Sequence, residues 1–148
     1  MLYTVGEIAK RLGIAPSALR YYDQEGLLPF VERSSGGARM FKDSDFEWLQ
    51  IIECLKKTGM QLKDIRVFVE MATKGDETIE QRLALICQQR EKVKEQIESL
   101  QETLHTLDFK CWYYETAQAA GTTEVPRNMT VDELPEKFRA VRIKLRGE

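Results

Sequence analysis

The sequence predicts a mainly α-helical protein built from short N-terminal helices, one β-hairpin and one long helix. Three observations lead to this fold class. Apolar residues recur at helical spacing in four separate segments before residue 74. A cluster of serines and glycines at 34–37 interrupts them. A heptad pattern of apolar residues then continues without a break from Ile79 to Tyr114.

The first segment carries the signals of two short helices joined by a tight turn. Thr4 and Glu7 have capping-box spacing, in which each side chain satisfies a free backbone donor at a helix start. Gly13 can end the first helix because it adopts the left-handed conformation without steric cost. Pro16 suits the first position of the second helix, where its missing N–H does no harm.

The second helix of this pair has distinct inner and outer faces. Leu19 and Tyr22 fall on the apolar side. The outer side has groups suited to the bases and backbone of a DNA duplex, namely Ser17, Ala18, Arg20 and Tyr21. A helix pair with such a face is typical of recognition rather than catalysis. Taken alone, two amphipathic helices would more often form a helical hairpin inside a larger core.

A β-hairpin is predicted directly after the helix pair. The turn cluster Ser34-Ser35-Gly36-Gly37 lies between two short segments, 31–33 and 39–41. Glycines supply the positive φ angles that tight hairpin turns need. A hairpin at this position makes the helix-turn-helix winged, and its cations could contact phosphates. They are Arg33, Arg39 and Lys42.

Two further helices complete the predicted N-terminal domain. The third begins at Ser44, with Glu47 three residues later as its capping partner, and ends at Gly59. The fourth extends from about Gln61 to Thr73, with Lys63 near its start. Apolar residues at helical spacing face inward from both helices: Phe46, Leu49, Ile52, Leu55, Leu62, Ile65, Phe68 and Val69.

The order and spacing of these features resemble the MerR family of bacterial transcription regulators. The resemblance covers residues 1–115 and rests on the helix pair, Leu19-Arg20-Tyr21-Tyr22, Gly26-Leu27-Leu28-Pro29, the wing with Arg39, and Lys56-x-x-Gly59-Met60-x-Leu62-x-x-Ile65. Two positions depart from the family pattern. Phe41 stands where the family often has Tyr, and Gln61 stands where a Ser or Thr cap is usual.

The resemblance implies a winged helix-turn-helix DNA-binding domain at 1–74, a long dimerisation helix at 75–120 and a C-terminal tail at 121–148. It also implies that a dimer bends and untwists promoter DNA so that RNA polymerase can engage its separated elements. The dimer would respond to a small-molecule or stress signal. The residues assigned to DNA binding are Tyr3, Thr4, Pro16, Ser17, Ala18, Arg20, Tyr21, Arg39, Met40 and Lys63.

The heptad seam predicts the long helix and its partner. Thr78 and Gln81 offer a capping box, and the 38 residues from Thr78 to Glu115 would form about 57 Å of helix. A stripe of this length needs a partner helix unless it folds back on its own domain. The resemblance implies an antiparallel pair in a symmetric homodimer, which would bind a pseudo-palindromic site. The expected interface residues are Ile79, Leu83, Ile86, Val93, Ile97, Leu100, Leu104, Leu107 and Cys111.

Length and composition limit the class of protein. A chain of 148 residues can supply one DNA-binding domain and a helical extension. No apolar run approaches 18 residues and no leader-like segment opens the chain, so we expect a cytoplasmic protein without a membrane span. Three widely spaced cysteines fit a reducing compartment. The charge supports DNA binding only weakly, since residues 1–42 hold six Lys/Arg against four Asp/Glu.

Catalysis and metal binding have little support in the sequence. It contains no nucleophile–base pair and no phosphate-binding glycine loop, so we expect neither enzyme activity nor a cofactor. Metal-responsive members of the family use a cysteine at the start of the long helix and a cysteine pair after it. Here no Cys or His follows Cys111, so we expect no metal site. A coiled-coil module for protein–protein interaction is the alternative function.

Two candidate effector sites are left. Cys54 precedes Lys56 and Lys57, which would favour its thiolate, and it resembles the cysteine of family members that respond to aldehydes and other electrophiles. A buried structural cysteine is the alternative. The second candidate is an aromatic cluster at the end of the long helix, Phe109, Trp112 and Tyr113. It could bind a small molecule or pack against the partner's DNA-binding domain. The tail after it would form one short helix or stay mobile.

Overall fold

The computed structural model describes residues 1–148 and is mainly helical. The chain forms two compact units, Met1–Glu91 and Lys92–Glu148. No helix combines the length and the apolar character that crossing a bilayer requires. The elements of the first unit that precede the long helix are β1 (Leu2–Tyr3), α1 (Val5–Leu12), α2 (Pro16–Gln24), β2 (Glu32–Arg33), β3 (Arg39–Lys42), α3 (Asp43–Lys57), α4 (Leu62–Thr73) and a 3₁₀ turn (Asp76–Thr78).

The helix pair α1–α2 forms as predicted. Glu7 Oε2 accepts from the Thr4 amide at 2.7 Å and the Glu7 amide donates to Thr4 Oγ1 at 3.3 Å, which completes the capping box. The backbone amide of Thr4, together with its hydroxyl, holds the pKa of Glu7 below its usual range. Gly13 ends α1 at φ 71°, in the left-handed region. Pro16 opens α2.

The wing belongs to a three-stranded sheet, of which the sequence predicted only the hairpin. β3 pairs antiparallel with β2, so that Arg33 lies opposite Arg39. It also pairs antiparallel with β1, so that Tyr3 lies opposite Phe41, whose side chain is fully buried. A strand of two residues is too short to show an alternating pattern, which is why β1 was missed. Of the two turn glycines, Gly37 has the positive φ.

The start of α3 differs from the prediction. The helix begins at Asp43, and the Lys42 amide donates to Asp45 Oδ2 at 2.8 Å. Ser44 and Glu47 lie inside the helix, so the predicted capping box between them is wrong. The physical reason is that β3 continues directly into α3, which leaves no loop in which Ser44 could act as a cap.

The core of the first unit draws on α1 to α4 and on β3. Its most buried side chains are Ile8, Leu19, Tyr22, Leu27, Phe41, Leu49, Ile52, Ile65 and Val69. Most had been predicted to face inward from their helical spacing. Leu85, from the start of the long helix, packs against the same cluster. The buried Gln89 donates from Nε2 to Thr58 Oγ1 at 2.6 Å.

The long helix, α5, spans Ile79–Ala120. The predicted capping box between Thr78 and Gln81 is wrong, because the Thr78 hydroxyl is used elsewhere. It donates to the Met71 carbonyl at 2.5 Å and to the Gly75 carbonyl at 2.9 Å, and it accepts from Arg82 Nε at 3.1 Å. These bonds fix the 3₁₀ turn that joins α4 to α5.

The second unit contains a folded C-terminal segment: α6 (Glu124–Asn128), a 3₁₀ turn (Val131–Glu133) and α7 (Glu136–Arg146). Phe138 of α7 is 3% exposed, and its ring centroid lies 5.5 Å from Phe109 and 6.0 Å from Trp112 of α5. The tail for which the sequence left a mobile state open is therefore helical and covers the aromatic cluster.

Three arginines of α7 hold this segment together by donating to backbone carbonyls. Arg142 is 6% exposed and bonds the carbonyls of Met129 (2.8 Å) and Arg127 (3.3 Å). Arg146 also bonds the Arg127 carbonyl, at 2.7 Å. Arg139 bonds two carbonyls of the 3₁₀ turn region. Carbonyls near the ends of short helices lack intrahelical donors, so these arginines satisfy groups that would otherwise need water.

We expect Phe138→Ala to loosen the C-terminal segment selectively. Removing a buried Phe costs about 3–5 kcal/mol, so the amides of α7 should exchange with solvent much faster while those of α2 keep their protection. Ile143→Ala, on the same helix but 36% exposed, is the matched control and should change little. Hydrogen exchange measured by mass spectrometry checks this, and unchanged α7 protection in Phe138→Ala would contradict it.

Candidate nucleic-acid interface

The outer face of α2 is free of the core. Ser17, Arg20 and Tyr21 are exposed, Tyr21 by 47% of its surface, whereas Leu19 and Tyr22 on the opposite side are buried. Pro16 is exposed and Ala18 is half-buried. Arg20 has no hydrogen bond or ion pair within the chain, so its guanidinium is available to a ligand. This face therefore offers an unpaired cation and an exposed aromatic ring on a helix whose opposite side is packed in the core.

Arg39, predicted as a phosphate contact of the wing, is largely occupied by a carboxylate of α2. Asp23 Oδ2 accepts from Arg39 Nε at 2.6 Å and from Arg33 Nη2 at 3.0 Å, and it lies 2.6 Å from Arg39 Nη2 in an ion pair. The Arg39 side chain is only 19% exposed, and its Nη1 group makes no contact with Asp23. Arg33 also donates from Nη1 to the Gly37 carbonyl at 2.9 Å.

The other predicted wing cation, Lys42, is paired within the sheet. Its Nζ group bonds Glu32 on the neighbouring strand, and this bond holds the pKa of Lys42 above its usual range. Met40, also predicted to contact DNA, is half-buried opposite Glu32. Lys63 is exposed in the first turn of α4. Few of the predicted cations are therefore unpaired.

Tyr3 belongs to a polar cluster at the start of the chain. Its hydroxyl donates to Asp43 Oδ1 at 2.8 Å, while the N-terminal ammonium lies 3.1 Å from Asp43 Oδ2. The bond to Asp43 raises the pKa of Tyr3, and the hydroxyl of Tyr3 and the N-terminal ammonium lower the pKa of Asp43. The hydroxyls of both Tyr3 and Thr4 thus have partners within the chain. The sequence did not predict this role of Asp43, because its partners Met1 and Tyr3 lie 42 and 40 residues earlier in the chain.

Cys54 lies on the exposed side of α3, so the alternative of a buried structural cysteine is wrong. Its neighbour Glu53 accepts from the Tyr22 hydroxyl at 2.6 Å, and Lys56 Nζ donates to the same hydroxyl at 2.8 Å. Burial and the bond to Glu53 raise the pKa of Tyr22, and the bond to Tyr22 raises the pKa of Lys56. Cys54 therefore shares a helical turn with two residues that bond the recognition helix α2.

The heptad seam of α5 is exposed on the single chain. Leu85 and Phe109 on other faces of the helix pack against their own units, and Val93 is half-buried. Within each unit, the seam therefore does not pack against that unit's own core. The exposed large seam residues, at 39–68% exposure, are Ile79, Leu83, Ile86, Ile97, Leu100, Leu104, Leu107 and Tyr114.

The aromatic cluster predicted as an effector pocket is filled by the chain itself. Phe109 is 2% exposed, stacks on Trp112 at 6.1 Å and meets Tyr113 edge-on at 6.2 Å. Phe138 occupies the space beside them. His105 Nε2 also lies 2.8 Å from the Lys137 carbonyl. No group of three or more His, Cys, Asp or Glu side chains is arranged to hold a metal ion.

These features define a winged helix-turn-helix regulator with a long C-terminal helix. Two family models match the chain, the MerR HTH family regulatory protein over residues 3–72 and the MerR DNA-binding model over residues 46–108. The chain belongs to the MerR family. Both the predicted family and the predicted fold class are therefore confirmed.

Similar proteins extend over most of the chain. An uncharacterised HTH-type transcriptional regulator of Haemophilus influenzae is 43% identical over 136 residues, which are 92% of this chain and 98% of the relative. HiNmlR, a MerR family regulator lacking the sensor domain, was solved bound to promoter DNA; it is 46% identical, with a TM-score of 0.78 over 84% of this chain and 99% of that chain. A MerR family regulator from Bacillus thuringiensis is 38% identical, with a TM-score of 0.71 over 75% and 97%.

Proposed function

We propose that the protein is a cytoplasmic homodimer that binds a pseudo-palindromic promoter site and distorts it in response to an electrophile or another small molecule. The observation that carries this proposal is the free outer face of α2, where Arg20 and Tyr21 project from a helix buried behind them. The DNA-bound state of the similar regulator HiNmlR supports the same use of the domain.

In the proposed complex, α2 enters the major groove and the flanking elements contact phosphates. Ser17 and Ala18 face base edges, and Arg20, Tyr21 and Lys63 contact the backbone. Pro16, Met40, Tyr3 and Thr4 complete the contact surface, and Arg39 contributes through its Nη1 group. Because few cations are free, we attribute part of the specificity to the deformability of the promoter rather than to bulk charge.

The exposed seam of α5 supports a dimer. Burying one Leu or Ile side chain contributes about 1.5–3 kcal/mol, and seven exposed seam residues of α5 are Leu or Ile. A second copy of the same helix offers a complementary stripe, and a two-fold axis between the copies relates the two recognition helices. Such a dimer would bind half-sites one helical turn apart, and its distortion of the DNA would present the promoter to RNA polymerase.

Cys54 is the proposed receiver of the signal. It is exposed on α3, so an electrophile can reach its sulfur without any rearrangement of the core. Adding an electrophile to its sulfur would disturb Glu53 and Lys56, whose bonds to Tyr22 hold α2. This arrangement gives a short path from the modified thiol to the recognition helix.

The aromatic cluster of Phe109, Trp112 and Tyr113 is the second proposed effector site. A molecule bound there would have to displace the Phe138 ring, which is almost fully buried. Displacing Phe138 also breaks the packing that holds α7, so the free energy of ligand binding must exceed the free energy lost with these contacts. Cys54 needs no such rearrangement, and HiNmlR is similar to this chain although it lacks a sensor domain. Both observations favour the thiol.

We expect Arg20→Ala to weaken operator binding and to reduce its salt dependence. Losing one phosphate contact should lower the slope of log K against log salt by about 0.9. Electrophoretic or anisotropy titrations with the DNA upstream of the gene, at several salt concentrations, measure both quantities. Lys74→Ala removes an exposed cation at the opposite end of α4 from Lys63 and is the control. Identical affinity and slope in wild type and Arg20→Ala would rule out this docking mode.

A charge placed in the seam should dissociate the dimer. Leu100 is 68% exposed on the single chain, and Leu100→Glu would bury a carboxylate in each copy's interface. Sedimentation equilibrium should then give the mass of one 17.2 kDa chain, and operator binding should fall together with it. Ser99→Glu adds the same charge one position off the seam and should stay dimeric. The dimer proposal fails if wild type is monomeric or if both variants behave alike.

Cys54→Ser should abolish the response to an aldehyde while leaving operator binding unchanged. The physical reason is that a serine hydroxyl is not ionised at neutral pH and is a far weaker nucleophile than a thiolate. A promoter reporter under aldehyde challenge provides the measurement, with Cys87→Ser as the control, since it removes a thiol that belongs neither to the seam nor to α3. Equal induction of wild type and Cys54→Ser would remove Cys54 as the receiver.

A further inference from the structure

The joint between the recognition helix and the wing depends on one carboxylate. Asp23, near the end of α2, has a single oxygen, Oδ2, that contacts three nitrogen groups: it accepts from Arg39 Nε at 2.6 Å and from Arg33 Nη2 at 3.0 Å, and it lies 2.6 Å from Arg39 Nη2 in an ion pair. Two of these groups belong to Arg39 on β3 and one to Arg33 on β2. Both strands of the wing are therefore tied to α2 through the same atom.

The tie extends to the tip of the wing. Arg33 uses its second terminal nitrogen to bond the Gly37 carbonyl in the hairpin turn at 2.9 Å. Its planar guanidinium thus bridges Asp23 and the turn, a geometry that the point charge of lysine cannot reproduce. The distance from the outer face of α2 to the wing tip is fixed by this chain of bonds.

Asp23 lies at a helix position where a negative charge is electrostatically unfavourable. A carboxylate in the last turn of a helix faces the negative end of the helix dipole, and the last turn of α2 has no basic residue to offset it. Two arginines of the wing supply the compensation instead. Since Asp23 and Arg39 are only 20% and 19% exposed, water screens this pair less than it screens a surface ion pair.

We propose that Asp23 is a positioning residue that determines DNA specificity, an inference that rests on the proposed DNA binding. It fixes the distance between the wing and α2, so that the two elements together fit DNA of only one groove width. It also occupies donors of two arginines that would otherwise bind the phosphates of any sequence. Asp23 thereby favours the operator over other DNA on both counts.

The pair of Glu32 and Lys42 provides a matched comparison within the same wing. It too joins an acid to a wing cation, but both residues lie on the paired strands β2 and β3, and neither forms a hydrogen bond or an ion pair with α2. Glu32→Gln therefore gives the same charge change as Asp23→Asn and releases one wing cation, without cutting the tie to α2.

The test compares wild type, Asp23→Asn, Arg33→Lys and Glu32→Gln for binding to the promoter fragment and to a scrambled duplex across a salt titration. In Asp23→Asn, we expect the ratio of operator to scrambled affinity to fall about tenfold, the loss of one charge-assisted bond network. We also expect its scrambled-DNA salt slope to steepen by about one. Arg33→Lys keeps the charge and should lower operator affinity alone. Glu32→Gln should strengthen binding to both duplexes while keeping their ratio.

A second measurement on the free protein tests the tie without DNA. Hydrogen exchange of the wing amides, residues 32–40, should accelerate in Asp23→Asn and not in Glu32→Gln, while the exchange of α4 stays unchanged. Unaltered exchange of the wing amides in Asp23→Asn would overturn the role of Asp23. The same change in the ratio of operator to scrambled affinity in Asp23→Asn and Glu32→Gln would also overturn it. Failure of wild type to prefer the promoter would instead refute the proposed function, and the exchange result would still decide whether Asp23 holds the wing.

Discussion

Burial of one face of α2 is the constraint on which the rest of the structure depends. Leu19 and Tyr22 are almost completely buried, and the Tyr22 hydroxyl is held between Glu53 and Lys56 of α3. Packing and hydrogen bonding together therefore fix how the nine-residue helix is rotated. The rotation decides that Arg20 and Tyr21 face outward and that Asp23 meets the wing. A helix this short would not be stable without such tertiary support.

Features that arise from local periodicity could be predicted from the sequence. The Thr4–Glu7 cap, the turn at Gly13 and the inward faces of α1 to α4 all follow from spacing within one or two helical turns. The ion pairs of Asp23 could not be predicted in this way, because its partners lie 10 and 16 residues away on strands whose register the sequence does not specify. The predicted caps of α3 and α5 are wrong for other reasons: β3 continues directly into α3, and the Thr78 hydroxyl bonds carbonyls of the turn that joins α4 to α5.

The cationic side chains of the N-terminal unit fall into two groups. Some form ion pairs within the domain, and others have no partner in the chain and are available to a ligand. Arg33, Arg39 and Lys42 have carboxylate partners, whereas Arg20 has no partner within the chain. A protein with a net charge of −2 and this division offers little attraction for DNA at long range, and physiological salt screens exposed charges beyond about 8 Å. In the proposed complex, affinity for DNA would then depend on the fit between the two surfaces at contact.

The folded C-terminal segment has a consequence for how copies of the chain can assemble. By enclosing Phe109, α7 removes from solvent an aromatic surface that lies on a different side of α5 from the seam. Two exposed apolar faces on one helix would let each molecule bind a different neighbour through each face, and the assembly could then extend as an open chain. With one of them covered, the proposed pairing through the remaining stripe would be self-limiting, because two molecules would bury each other's seam and leave no apolar face for a third.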